Sequence, residues 1–317
     1  MLIAWSINGI CQFGVWPATL KIVSSVLHRD HRDKAMVYIS MCMCAGNVFS
    51  YFAAMILLKV FRWPSLFWMA VVILVGTIIM WASVSIKVRP HIIHTPDPSL
   101  AEKADLAGKT QNSTASMSVF AMMLSSGFLI LVLPATFRCM LDNGAKSWVP
   151  TMMMESYGIT PGTSSFIATL VVMINMSGVF LVKKLYPKYF GNLNVLAGTL
   201  FAVSLPLFAA LMLIGKIPML AAIVLLIDST TVMYAVNQLM GINIPAVFGK
   251  YGKTGTIAGI LNAFGSFGIM LGNFVYGYIA ENFGWTEVII SWMVLAAVSM
   301  VCCFAAAPLW KKFINRK

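Results

Sequence analysis

The 317-residue chain has few charged residues, which make up 10% of it against roughly 25% of an ordinary soluble domain. Acids are the scarcest, with 10 Asp and Glu set against 22 Lys and Arg. Hydrophobic residues reach 60%, and the mean hydropathy is +0.86. A soluble fold could not bury so much apolar surface. The composition therefore excludes a soluble enzyme or a nucleic-acid-binding domain and indicates a protein of the lipid bilayer.

The sequence also lacks the signals of disulfides, metal sites and secretory cleavage. The pairs Cys42 with Cys44 and Cys302 with Cys303 have neither the spacing nor the histidine partners of a metal site. The first apolar run is too long for a signal peptide and has no small-residue cleavage site. No metal and no cofactor are expected. Six cysteines lie in or beside apolar runs, where they act as small hydrophobic residues: Cys11, Cys42, Cys44, Cys139, Cys302 and Cys303.

Long apolar runs separated by short polar ones predict an all-α polytopic protein with about nine transmembrane helices. Backbone amides in lipid must be hydrogen-bonded within their own segment, so runs of this length form helices and not open strands. The fourth span leaves open a continuation past Arg138 toward Trp148. The predicted spans are 2–27, 35–58, 64–86, 117–140, 165–182, 194–214, 218–239, 256–280 and 288–308.

The basic residues predict the orientation of the chain. Sixteen of the 22 Lys and Arg fall in loops on the side of the C-terminus, and four, Lys59, Arg62, Lys146 and Lys216, fall in loops on the other side. Because cytoplasmic loops carry an excess of positive charge, we expect a plasma-membrane protein with a cytoplasmic C-terminus. Met1 would then begin outside and directly within a hydrophobic helix, so preceding helices are expected to be missing.

A weak repeat predicts the domain organisation. Arg62-Trp63 followed by Trp68-Met69 recurs six spans later as Gly284-Trp285 followed by Trp292-Met293, in the same orientation. If six spans form one unit, nine spans form one and a half. The predicted division is an incomplete N-terminal bundle at 1–86, a flexible cytoplasmic linker at 87–116 and a complete six-helix bundle at 117–317.

Three groups of motif residues carry a family resemblance. They are Asn8-Gly9-x-x-Gln12-x-Gly14-x-Trp16-Pro17, Arg138 with Leu141-Asp142 and Trp148-x-Pro150, and Gly252-Lys253-x-Gly255-Thr256-x-Ala258-Gly259 ahead of Phe283-Gly284-Trp285. In these the chain resembles the major facilitator superfamily and, within it, the organophosphate:phosphate antiporter group that includes the glycerol-3-phosphate antiporters. The resemblance runs over nearly the whole chain and matches helices four to twelve of that group. It implies a partial major facilitator fold without its first three helices, and a monomer when full length.

Arg138 is the main candidate for binding a solute. A guanidinium at hydrocarbon depth is costly unless it faces water, a counter-charge or a ligand, and its planar fork suits a carboxylate or a phosphate. The alternative is that Arg138 snorkels at the outer end of its helix or pairs with Asp142 one turn later. The resemblance implies a substrate-binding Arg at this position, whose partner Arg belongs to the absent first helix.

Lys21 and Asp228 are further charged candidates. Lys21 either binds the solute or snorkels to the cytoplasmic surface. Sugar-phosphate members of the group have a His four residues later, where this chain has Ser25. Asp228 is taken as the only acid near the middle of a span. Because hydrocarbon favours a neutral carboxyl, Asp228 is either a proton-coupling group or a structural Asp that is protonated or bonded to Ser or Thr.

Uncharged polar residues and glycines complete the predicted site. Tyr234, Asn237 and Gln238 share a helix face and are candidates for lining a cavity, and the first motif adds Gln12 and Trp16 as solute contacts. The glycine pairs Gly255 with Gly259 and Gly268 with Gly272 are expected to let helices pack closely. Interhelical hydrogen bonds are the alternative role for the interior amides Asn8, Gln12, Asn47, Asn175, Asn237, Gln238 and Asn262.

Together these features predict a secondary transporter, not an enzyme, that moves a small anionic organic solute by alternating access, with a proton or phosphate as the coupling ion. Without three of twelve helices the chain is expected to be inactive on its own. An intramembrane enzyme would need clustered acids or histidines, which the sequence lacks. Two alternatives stay open: a sensor that binds the solute without moving it, and a nonfunctional gene remnant.

Overall fold

The computed structural model describes residues 2–12, 14–26, 29–62, 64–94, 119–189 and 191–315. Within these ranges the chain folds into helices joined by short turns, without a β-strand. In chain order the helices are α1 (Leu2–Gln12), α2 (Val15–Val26), α3 (Arg29–Val60), α4 (Pro64–His94), α5 (Val119–Ser125), α6 (Phe128–Tyr157), α7 (Pro161–Asn175), α8 (Ser177–Tyr189), α9 (Leu193–Leu211), α10 (Met219–Gln238), α11 (Thr254–Asn282) and α12 (Trp285–Ile314). A π-helical segment, Leu239–Asn243, continues α10 and leads through Ile244–Val247 and the 3₁₀ helix Phe248–Tyr251 to α11.

The helices form two compact units. The first contains Met1–Val48 and Val119–Lys317, and its main core is built from residues of α5 to α12. The second contains Phe49–Ser118, in which no residue of the Pro64–Lys87 segment of α4 is buried. The predicted division at residues 86 and 117 stays a prediction.

Helices long and apolar enough to cross a membrane account for most of the predicted spans. The described residues contain seven: Pro64–Lys87, Phe128–Tyr157, Gly162–Tyr186, Leu193–Leu211, Met219–Val247, Thr254–Asn282 and Trp285–Ile314. The predicted spans at 2–27 and 35–58 fall in α1 to α3, where part of the chain lies outside the described residues. The predicted span at 2–27 is covered by two helices, α1 and α2, with a turn at Gly14 between them. That they cross the membrane as one span stays a prediction.

The predicted fourth span starts and ends too early. Gly127 has a left-handed backbone, with φ 71°, and separates α5 from α6; Gly158, with φ 63°, caps α6 at its other end. The continuation past Arg138 that the sequence leaves open is therefore confirmed. Lys146 lies inside α6 and not in an outer loop, because the helix is longer than its purely apolar part.

Part of the predicted linker is helical. α4 continues through Pro90 to His94, so residues 87–94 extend the helix instead of beginning a loop. Apolar residues at helical spacing, Val88 and Ile92, accompany this extension. Residues 95–116, the remainder of the predicted linker, lie outside the described part of the chain.

Glycines bring α6 and α11 into close contact. A Cβ atom at Gly268 would lie 2.6 Å from the carbonyl oxygen of Thr136, and one at Gly272 would lie 3.3 Å from the Cα of Met140. The predicted packing role of these two glycines is therefore confirmed. The contact fixes one face of α6 against α11 and leaves another face for α10.

Asn175 joins α7 to α10, as expected for an interior amide. Its buried Oδ1 accepts hydrogen bonds from the hydroxyls of Thr230, at 3.0 Å, and Thr231, at 3.1 Å. Interhelical bonds of this kind stabilise helix association in lipid. They fix the middle of α10, one to two turns before Tyr234 and Asn237, which contact α6.

Candidate functional site

Three charged residues lie one helical turn apart on α6. Arg138, Asp142 and Lys146 are spaced four residues apart, so successive turns present them on the same face. Arg138 is 6% exposed and Asp142 3%, whereas the side chain of Lys146 is 18% exposed. Because burying an uncompensated charge is costly, the partners of these groups determine what the site can bind.

The guanidinium of Arg138 is held by the end of α10, and no acid of the described residues pairs with it. Its Nη1 donates a hydrogen bond to Oδ1 of Asn237. Its Nη2 lies beside Gly241, where a Cβ atom would come within 3.5 Å of it. The buried Nε has no hydrogen-bond partner among the described residues. Arg138 therefore has one donor, Nε, that no described residue uses.

Asp142 forms an ion pair with Lys146. The distance from Lys146 Nζ to Asp142 Oδ2 is 2.7 Å, while the other carboxylate oxygen, Oδ1, is buried without a partner in the described part of the chain. The same Nζ lies 5.1 Å from the ring centre of Tyr234 on α10, in cation–π geometry. Lys146 thus links the two helices. The alternative pairing of Arg138 with Asp142 is not the one that the structure shows.

The helix leaves regular α geometry directly beside Arg138. In the segment Leu239–Asn243 the N–H of Ile244 bonds the carbonyl of Leu239, five residues back. Pro245 follows, and since it has no N–H it cannot bond the carbonyl of Gly241. π-Helical turns often lie at functional sites. Here the irregular turn places a glycine, which has no side chain, against the guanidinium.

The structure brings together the predicted residues of α6 and α10. Asn237 bonds Arg138, and Tyr234 contacts Lys146. Gln238 is buried on the same helix. Contact of these residues with a solute stays a prediction. Asn237 and Tyr234 meet at one polar cluster, which is where such a solute would bind.

The predicted site residues of α1 and α2 make other contacts than those of the Arg138 cluster. Gln12 is exposed and donates a hydrogen bond to Asn8 on its own helix, at 3.0 Å. Trp16 is half-buried and packs against a small apolar cluster described below. Lys21 belongs to α2, but its side chain lies outside the described part of the structure.

An apolar cluster joins α2 to the segment that follows the Arg138 site, and we call it the α2 contact. It consists of the buried residues Leu20 and Val23 of α2, Ile242 of the π-helical segment and Ala258 of α11. The residues that hold the guanidinium and those that contact α2 are thus neighbours in one short irregular segment.

Asp228 lies within a span, as predicted, but on the exposed side of α10. It forms no hydrogen bond or ion pair with any described residue, so the alternative of a Ser- or Thr-bonded structural Asp is not what the structure shows. It is also not the only acid in a span, because Asp142 lies inside α6. The proton-coupling role of Asp228 stays a prediction.

Sequence reasoning missed Lys146 as a member of the cluster, and it named Asp142 only as a possible partner of Arg138 beyond the end of the predicted span. The hydropathy of the fourth apolar run falls after Met140, which favours ending the span before them. The signal that could have found them is their four-residue spacing from Arg138, which places all three on one face of a continuing helix.

The described residues contain no group of three or more His, Cys, Asp and Glu side chains that could hold a metal ion. The five cysteines whose side chains are described are free thiols, and two of them, Cys139 and Cys303, are buried in the helical core. At the Arg138 cluster the side chains offer charge and hydrogen bonding. Two cations, Arg138 and Lys146, face one carboxylate, so the cluster carries an excess positive charge.

The sequence profile of the Major Facilitator Superfamily matches residues 1–273. The chain belongs to this superfamily of membrane transporters, which confirms the resemblance at superfamily level and the predicted all-helical multi-pass fold. No curated protein compared with the chain matches it.

Proposed function

We propose that the protein moves a small anionic organic solute across the membrane by alternating access, with Arg138 as its principal anion-binding residue. One observation carries the proposal: among the described residues, a buried guanidinium inside a membrane span has Asn237 and no acid as its partner. Keeping such a charge unneutralised is costly in a bilayer. An anionic solute would supply the missing negative charge.

The geometry supports a carboxylate or phosphate group on the solute. A guanidinium presents N–H groups in a planar fork that matches the oxygens of either group. Asn237 fixes the orientation of one arm, and the unused Nε supplies a further donor. Lys146 adds a second positive charge on the same helix face. Its side chain stays partly exposed although it pairs with Asp142.

The α2 contact supports a role in alternating access. Leu20 and Val23 close against Ile242 and Ala258 in the structure, and a carrier must open such a contact to release its solute on that side. Gly241 lies beside the guanidinium of Arg138, and Ile242 is the next residue in the chain. Binding of an anion at Arg138 would therefore act directly on the segment that makes the α2 contact.

The finer features of the proposal come from the sequence. We propose a member of the organophosphate:phosphate antiporter group in the plasma membrane, with a cytoplasmic C-terminus and a proton or phosphate as the coupling ion. Asp228 remains the proton-coupling candidate, supported by a carboxyl that lies in a span and bonds no described residue. Because Lys146 lies inside α6, it no longer counts among the basic residues of the loops opposite the C-terminus. The loops on the C-terminal side still carry the excess of positive charge.

Uptake by proteoliposomes tests the proposed function. The full chain would be reconstituted and offered radiolabelled organic phosphates, dicarboxylates and a neutral sugar. We expect saturable uptake of an anion, abolished in Arg138→Ala and strongly reduced in Arg138→Lys, which keeps the charge but loses the fork. Arg62→Ala, at an exposed residue outside the spans, is the matched control and should transport normally. Uptake of a neutral solute that is unaffected by Arg138→Ala would overturn the proposal, and anion binding without uptake would identify a sensor.

A further inference from the structure

Gly241, in the π-helical segment, leaves a space beside the guanidinium of Arg138. A Cβ atom on this glycine would lie 3.4 Å from Oδ1 of Asn237 and 3.5 Å from Nη2 of Arg138. Apart from the backbone of its own helix, these are the nearest atoms that the Cβ would meet. Both distances are ordinary van der Waals contacts. A space of the size of a methyl group therefore adjoins Nη2.

The helix face that leads to this space is partly exposed. Tyr234, Asn237 and Gly241 follow one another at intervals of three and four residues, which places them on one face of the helix. All three are partly exposed, whereas Val236 between them is fully buried. The space beside the guanidinium thus adjoins an accessible surface, although most of the Arg138 side chain is buried.

Neither the backbone nor the packing requires glycine at this position. The φ angle of Gly241 is not positive, and an added Cβ would overlap none of its neighbours. Gly268 differs in this respect, since a Cβ there would collide with the backbone of Thr136. Glycine also weakens a helix relative to alanine. What the missing side chain of Gly241 does is keep the space beside Nη2 open.

The space lies at the edge of the guanidinium that an anion can use. Nη1 already bonds Asn237, which leaves the edge formed by Nε and Nη2 for a two-oxygen contact. An oxygen that accepts a hydrogen bond from Nη2 stands about 2.9 Å from it. On the side that faces Gly241, such an oxygen and a methyl group cannot both fit.

We propose that Gly241 is a specificity-determining residue, because its lack of a side chain admits the anionic group of the solute to Nη2 of Arg138. The inference rests on the proposed function and adds to it the edge at which the solute binds. Asn237 keeps Nη1, and the oxygens of the anion take Nε and Nη2. Gly241 contributes room and neither charge nor a side-chain hydrogen bond.

Gly241→Ala in the full chain tests this role by uptake into proteoliposomes and by thermal unfolding in detergent. We expect the KM for the anion to rise about tenfold, the effect of losing one hydrogen bond to a charged group, while the maximal rate and the unliganded unfolding midpoint stay unchanged. Gly259→Ala is the matched control. Gly259 is also a partly exposed helical glycine, but a Cβ there would meet only Cγ of Pro17, at 3.8 Å. Its KM should equal that of the unaltered chain.

A pair of ligands shows which part of the solute the space admits. Inorganic phosphate and phenyl phosphate, or acetate and phenylacetate if uptake identifies a carboxylate, would be compared by the shift of the unfolding midpoint. We expect Gly241→Ala to weaken both members of the pair alike, because both present the same group to Nη2. A loss confined to the larger member would overturn the inference.

The remaining outcomes separate this inference from the proposed function. An unchanged KM in Gly241→Ala, with uptake abolished in Arg138→Ala, would overturn the inference and leave the proposed function standing. A lower unliganded midpoint in Gly241→Ala than in Gly259→Ala would assign the glycine to the π-helical turn and overturn the inference too. If the unaltered chain neither bound nor transported an anion through Arg138, both would fall.

Discussion

Asp142 pairs with Lys146, at 2.7 Å, although Arg138 lies equally far from it along the same helix. The carboxylate is thus occupied by the more exposed of the two cations, while the more buried one bonds a neutral amide, Asn237. This division leaves the guanidinium available for an anion. It also makes Asp142 a group that limits the positive charge of the cluster without cancelling it.

Breaking the pair from its two sides should have different consequences. Lys146→Met leaves a buried carboxylate whose partner is gone, so we expect a loss of roughly 3–5 kcal/mol of unfolding free energy. Asp142→Asn removes the carboxylate from beside two cations, so anion affinity should rise. A double-mutant cycle measured by denaturant unfolding would show the coupling: Asp142→Asn with Lys146→Met together should cost less than the sum of the single changes. Strict additivity would mean that the ion pair contributes nothing.

Gly268→Ala should destabilise the contact between α6 and α11. The added Cβ would lie 2.6 Å from a backbone oxygen, that of Thr136, which can move only with its helix. We expect a loss of about 1–3 kcal/mol, as for other overpacked interiors. Gly76→Ala is the control, since a Cβ there meets nothing within 4 Å, and it should be neutral or slightly stabilising. Equal effects of the two changes would contradict the close approach.

Asn175→Ala should weaken the attachment of α7 to α10 by a modest amount. Two hydroxyl donors lose their common acceptor, but that of Thr230 keeps a 2.6 Å bond to the carbonyl of Leu226. The expected loss is about 0.5–1.5 kcal/mol by thermal unfolding in detergent. Asn282→Ala, which loses only a bond within its own helix, should change the midpoint less. The reverse order would show that the bonds of Asn175 do not hold the helices together.

Leu20→Ala should loosen the α2 contact. Leu20 is 0% exposed, so its truncation leaves a cavity among apolar neighbours and should cost about 2 kcal/mol or more. Val15→Ala, at a position that is 62% exposed on the same helix, should cost little. Comparable unfolding midpoints for the two variants would mean that α2 does not pack against Ile242 and Ala258.

The sequence predicts the helices and the importance of Arg138 because both follow from local signals. Apolar runs of sufficient length define spans, and a lone Arg within one is unusual enough to mark a site. Asn175 and Gly268 are also foreseeable, since interior amides and paired glycines have few other uses in such helices.

Other features depend on tertiary contacts that hydropathy does not reveal. α6 continues through Asp142 and Lys146 because these charges satisfy each other inside the bundle, whereas an apolar scale counts them as the end of a span. Gly127 separates α5 from α6 by a left-handed backbone within an apolar run. Asp228 has the right depth but faces away from the bundle interior, and only the packing of α10 shows that.

The most direct test of the account is solute-dependent thermal stabilisation of the full chain, measured across organic phosphates, carboxylates and sugars and repeated with Arg138→Ala and Arg62→Ala. We expect the most stabilising solute to be an anion, Arg138→Ala to remove its effect, and Arg62→Ala to preserve it. A neutral solute as the best stabiliser, with an affinity that Arg138→Ala leaves unchanged, would contradict anion binding at Arg138.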